Sequence, residues 1–275
     1  MREDDAMDAL SALRFDGKVA VVVGAGPGLG ATLARRFAAG GAQLAVVARS
    51  PRSLDAAADA ARGWDVDALR IPCDIGSSAD ARRMGEAVLE HFGRVDVLVN
   101  AAFAAGRKSA VIDMDDDALE QWRHAVEIGG YGTLLACRFL APAMVEQGGG
   151  SIVNVTSMSS RLGMAGRSDF AAGKAQGHKI AQSLAAELGP YGVRVNCVAP
   201  GHIWSDQLER FYRGQADARG VSYETVLAEY TGEMALRRIV TPDEVASAVL
   251  FLASDLASGI TGAVIDVNAG HLFAP

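Results

Sequence analysis

Val22-Val23-Gly24-Ala25-Gly26-Pro27-Gly28-Leu29-Gly30 is the stretch whose reading decides the fold. A run of β-type apolar residues, 19–23, enters it, and a helical pattern, Leu29-Gly30-Ala31-Thr32-Leu33-Ala34-Arg35-Arg36-Phe37, leaves it. Glycines are needed here because the backbone must turn sharply and approach a diphosphate without Cβ atoms in the way. The free N–H groups and positive end of the new helix then face the phosphates. A glycine-rich turn alone mostly connects elements, but this one lies between a strand and a helix. That context makes Gly24, Gly26, Gly28, Leu29 and Gly30 a dinucleotide-binding fingerprint.

Beyond this turn, β-rich runs at 43–48, 68–72, 95–100, 151–156, 194–198 and 263–267 alternate with helical patterns. The helical stretches are 28–39, 53–61, 79–92, 118–146, 170–188 and 242–253. Apolar strands separated by amphipathic helices read as βαβ units, hence a Rossmann-type, doubly wound parallel α/β sheet with helices on both faces. Thr241-Pro242-Asp243-Glu244 is a helix start, with Thr as N-cap, Pro at the first helical position and Glu completing a capping box. The run Asp113 to Asp117 reads as another helix entrance, favoured by the dipole. No repeat or low-complexity linker divides the chain, so 15–275 is expected to form one domain behind a polar N-terminal segment, 1–14. Residues 201–238 fall outside the strand–helix alternation and carry Trp204, Leu208, Phe211, Tyr212, Tyr223 and Tyr230. They read as a helical lid over an apolar or aromatic substrate, although packing of two lid helices accounts for these residues equally well.

Among 275 residues, 33 acidic side chains outweigh 26 basic ones, for a net charge of −7. That balance argues against nucleic acid or an anionic membrane as a partner. Cys73, Cys137 and Cys197 lie far apart, which fits neither a disulfide framework nor a zinc site and suits reduced thiols in the cytoplasm. The start, Met1-Arg2-Glu3-Asp4-Asp5, is too acidic for a signal peptide, and no apolar run approaches bilayer length. The expectation is a soluble cytoplasmic protein.

The end of the second strand carries the next signal. A carboxylate there would accept hydrogen bonds from a ribose diol, whereas an arginine favours a 2′-phosphate. Ala48 followed by Arg49 points to NADP(H), with NAD(H) the alternative. Asp74, with Ile75 beside it, ends the third strand and can cap an adenine edge. Asn100 and Ala101 end the fourth, where Asn100 can hold backbone near the cofactor.

Taken together these motifs resemble the short-chain dehydrogenase/reductase family, over about residues 15–272. Gly24 to Gly30 is similar to its G-x-x-x-G-x-G loop. Asn100-Ala101-Ala102-Phe103 resembles its N-N-A-G strand end, with Ala101 and Phe103 replacing the second Asn and the Gly. Ser151 to Ser157 looks like the strand that ends in the catalytic Ser, and Ala199-Pro200-Gly201 like the turn under the nicotinamide, with Ile203 just beyond. Ile260 to Gly270 is similar to the last strand and tail. The resemblance implies a nicotinamide cofactor and a homotetramer or homodimer. It also implies a Ser, a Tyr-x-x-x-Lys helix and a preceding Asn as catalytic residues.

Two of those positions depart. Thirteen residues after Ser157, the family's usual interval, stands Phe170-Ala171-Ala172-Gly173-Lys174, so the Tyr position is Phe170. The Asn position, seven residues after Trp122, falls on Gly129. Ser157 and Lys174 remain to orient substrate and bind ribose hydroxyls. Phe170 marks the missing proton donor, whose positioned hydroxyl would contribute roughly 10²–10⁴-fold in rate. Gly129-Gly130 inside a helix is expected to keep a local kink without the amide. Four explanations stand open. Phe170 is an engineered or evolved disabling change, or the enzyme reduces a C=C or C=N bond that needs no strong acid. Alternatively Ser157, His202, Tyr131 or a water held at Gly129 donates the proton, or the chain binds cofactor without redox chemistry.

Overall fold

Valine dominates the central strands because its branched Cβ fits a pleated surface and loses little further freedom there. β1 (Val19–Val23) is buried at every position. Alternate side chains serve two separate cores: Ala20 and Val22 face one, Val21 and Val23 the other. Burial of each such valine contributes about 1.5–3 kcal/mol relative to exposure. The computed structural model describes residues 13–64, 66, 68–104 and 106–273. Most of the polar segment expected at 1–14 therefore lies outside the described residues.

The strands that follow are β2 (Gln43–Ala48), β3 (Ala68–Pro72), β4 (Val97–Asn100), β5 (Gly150–Val155), β6 (Val193–Pro200) and β7 (Val264–Val267). All pair in parallel in the order β3-β2-β1-β4-β5-β6-β7, a Rossmann-type sheet. The order reverses between β1 and β4, and in open α/β sheets ligands bind in the crevice at that switch point. The doubly wound sheet expected from the alternation is thus the observed one.

One core is closed by α1 (Leu29–Ala39), α2 (Pro51–Ala60) and the helix Pro242–Ala253. The other is closed by α3 (Ser78–Phe92), the long helix that follows β4, and Ser168–Leu188. That long helix comprises α4 (Asp116–Val126), a π-helical turn Glu127–Gly132 and α5 (Thr133–Glu146). Its start at Asp116 rather than residue 118 follows from Asp115, whose carboxylate accepts the Ala118 N–H at 2.8 Å. Joined, the 31 residues are long enough to span a bilayer, with mean hydropathy 1.3 in an 18-residue window, contrary to the expectation that no run approaches that length. Half of that window is buried inside the fold, where the apolar residues pack.

Ser168–Leu188 forms α6, and the segment after β6 forms α7 (Asp206–Arg219) and α8 (Tyr223–Gly232). Tyr212 and Val226 of these two lid helices are fully buried in the core, while Trp204 and Phe211 stay exposed. Much of the lid's apolar content therefore packs the lid itself.

α9 (Pro242–Ala253) starts as its sequence predicts. Thr241 Oγ1 accepts the Glu244 N–H, and Glu244 accepts the Thr241 N–H at 2.8 Å. Thr241→Ala should lower unfolding free energy by about 1 kcal/mol, read from denaturant midpoints at constant slope.

Candidate active site

The glycine turn is built by backbone contact. Gly24 and Ala25 both donate to Val47 O, at 2.9 and 3.0 Å, and Gly26 donates to Gly24 O at 2.8 Å. A Cβ on Gly24 would lie 2.3 Å from Ala102 N, and one on Gly30 would lie 2.5 Å from Gly24 O. Gly26 and Gly28 instead face open space: a Cβ on Gly26 meets only Ser53 Oγ at 3.9 Å, and one on Gly28 meets nothing. Gly28 has φ +94° and gives α1 no side-chain cap; the Ala31 N–H donates to Gly26 O at 2.9 Å, and the Leu29 and Gly30 N–H groups have no backbone partner among the described residues. Leu29 packs against the core beneath the turn. The cradle fits a diphosphate.

Beside it lies a cavity of about 250 Å³, whose walls include Gly24, Gly26, Arg49, Ser53, Ile75 and Ala101. Its lining includes no carboxylate among the described residues. Ser50 caps α2 by accepting the Ser53 N–H at 3.2 Å, so a helix N-terminus and two hydroxyls stand next to Arg49. The Asp74 carboxylate turns away into its own loop and accepts the Gly76 N–H at 3.1 Å, leaving Cys73 and Ile75 on the wall. Asn100 likewise departs from expectation. Its amide turns into the core, donates to Asn154 Oδ1 at 2.9 Å, and leaves the wall to Ala101 and Ala102.

At the ends of β5 and β6 the remaining positions converge. Ser157 is buried, and its Oγ accepts the Ser159 N–H at 3.2 Å. Lys174 is buried on α6 and donates from Nζ to Val155 O at 2.8 Å, and burial pushes its pKa down to about 8. The Nζ lies 5.9 Å from the centre of the Phe170 ring and 5.8 Å from that of Phe103. These two rings meet edge to face at 6.3 Å. Pro200 ends β6, Gly201 donates to Val267 O at 3.1 Å, and Ile203 bridges to Val240, which fixes the turn beyond.

Gly129 and Gly130 lie in a π-helical turn, and α6 crosses there at backbone contact. A Cβ on Gly129 would lie 2.8 Å from Gly173 Cα, and one on Gly130 would lie 1.7 Å from Gln176 Oε1. Phe103, Gly129, Phe170, Gly173 and Lys174 leave no room for a water molecule between them. With the Phe103 ring in this position, a water at Gly129 has no space. His202 is no solvated loop residue: its Nδ1 sits 2.6 Å from the hydroxyl of buried Tyr212. Burial, then neighbouring His271, lowers its pKa and favours the neutral ring. Tyr131 is exposed.

Three residues near the site had no role in the sequence reading. Phe103 lines both the cavity and the catalytic cluster. Buried Asp169 accepts the Gly106 N–H at 2.8 Å, and Arg167 donates to Gly106 O at 3.1 Å. These bonds hold Gly106. Phe103 was visible as a replaced glycine, but Asp169 finds its partner 63 positions away and carries no local signal.

The chain matches the family model described as enoyl-(acyl carrier protein) reductase over residues 24–271. It is 35% identical over 259 residues to D-threitol dehydrogenase of Mycolicibacterium smegmatis, covering 94% of each chain. L-sorbose reductase from Gluconobacter frateurii, solved with NADPH and L-sorbose, superposes with a TM-score of 0.89 at 27% identity, over 96% of this chain and all of that one. NAD+-bound xylitol dehydrogenase gives 0.85 at 27% identity, over 92% of this chain and 98% of that one.

Gly129→Asn should not restore a relay amide here. Its side chain meets the α6 backbone, and overpacking should lower stability by about 1–3 kcal/mol in denaturant unfolding.

Proposed function

Because the chain belongs to the short-chain dehydrogenase/reductase family, we propose that it transfers hydride between NADP(H) and an apolar carbonyl or alcohol substrate at a site without a tyrosine acid. The observation that carries this reading is Phe170, which stands beside Lys174 with no hydroxyl to offer. The glycine turn holds the diphosphate through the unpaired N–H groups of α1. Arg49, Ser50 and Ser53 hold the 2′-phosphate, and the absence of a carboxylate from the lining favours NADP(H) over NAD(H). Lys174 commits one N–H to Val155 O and keeps two for ribose hydroxyls. When bound, the nicotinamide supplies or accepts the hydride. Ser157 donates its hydrogen bond to the substrate oxygen. The relatives named for D-threitol, L-sorbose and xylitol point to alcohol–carbonyl chemistry, while the rings of Phe103 and Phe170 favour a less polar substrate here.

Phe170 also favours a second reading, reduction of a conjugated C=C or a C=N bond. Hydride addition to a cationic C=N leaves no alkoxide to protonate. The description of the matching family model agrees with the C=C form. NADPH consumption over ketones, enones and cyclic imines separates the two. Slow turnover confined to ketones supports the first reading, turnover confined to enones or imines supports the second, and no turnover of any class contradicts both. Arg49→Ala should weaken NADPH binding about 10- to 100-fold, as loss of a charge-assisted phosphate contact does, and leave NADH binding nearly unchanged. Calorimetric titration checks this.

A further inference from the structure

Phe103 occupies the position where the resembling motif has glycine, and its ring is the boundary between two spaces. On one side is the cavity of about 250 Å³ that suits the adenosine half of a dinucleotide. On the other is the cluster of Gly129, Phe170 and Lys174, too narrow for water. We propose that Phe103 discriminates a complete dinucleotide from an adenosine ligand: with its ring on Phe170 the catalytic end is closed, and the nicotinamide half is admitted only when that ring swings away. This rests on the reading of the site as a dinucleotide site.

Two observations carry it. The ring packs edge to face on Phe170 at 6.3 Å, with the Lys174 ammonium 5.8 Å from its centre, so the closed position is held by an aromatic pair and a cation–π contact. The residue is nonetheless 56% exposed, so its side chain has solvent on its outer side into which to swing. Ligands confined to the cavity never disturb the pair. A ligand that must reach Lys174 has to break it, and contacts of this size reduce its affinity about tenfold.

The test is binding rather than turnover. The full chain, Phe103→Gly and Phe103→Ala are titrated with NADPH, followed by nicotinamide fluorescence, and with 2′,5′-ADP, followed by calorimetry. The expected result is about tenfold tighter NADPH in both variants, with 2′,5′-ADP changed less than twofold. Phe170→Leu, which removes the ring's partner, should also tighten NADPH, and combining it with Phe103→Gly should add little. Unchanged NADPH affinity, equal change in both ligands, or weaker NADPH would each overturn the proposal. If 2′,5′-ADP binds the unmodified chain and these results appear, the dinucleotide reading stands while Phe103 loses its role. If neither ligand binds the unmodified chain, the dinucleotide reading fails and the role of Phe103 with it.

Discussion

Backbone touching backbone at the end of β1 is the constraint on which this structure depends. Gly24 comes so near Ala102 that even a methyl group would overlap it, and Gly30 stands equally close to Gly24 O. The first contact brings the ends of β1 and β4 together at the point where the sheet order reverses, and the second seats the start of α1 on the turn. The crevice, the uncapped start of α1 and the cavity walled by Arg49 and Ala101 all follow from that approach. This approach requires the absence of a side chain.

A second backbone contact acts in the opposite sense. Where α6 crosses the π-helical turn, Gly129 and Gly173 meet so closely that the space is closed, and Lys174 turns to Val155 O. The first contact opens a place for a ligand, and the second removes the place where a relay amide or water would sit. Phe170 offers no hydroxyl beside that crossing, and the Lys174 ammonium stands 5.9 Å from the centre of its ring.

Most of the sheet was legible because its signals are local and periodic. The valine runs, the glycine turn and Thr241-Pro242-Asp243-Glu244 each decide their structure within a few residues. Boundaries moved by one or two residues, as at β4, which starts at Val97 rather than residue 95, and at α4, where Asp115 caps a start at Asp116. The positions of Ser157, Phe170 and Lys174 were readable from their spacing. Side-chain directions were not. Asn100 turns into the core because Asn154 on the neighbouring strand offers its amide, and Asp74 turns to Gly76. His202 joins Tyr212, ten residues on along the lid. These choices depend on partners that only the folded chain brings within reach.

The central claim is that this site has kept a dehydrogenase frame and lost its proton donor. The most direct measurement compares single-turnover NADPH oxidation by the chain and by Phe170→Tyr on one ketone at saturating cofactor. A restored hydroxyl beside Lys174 should raise the rate by about 10²-fold or more, within the range a positioned acid supplies. Equal rates, with both proteins folded and binding NADPH alike, would contradict the claim.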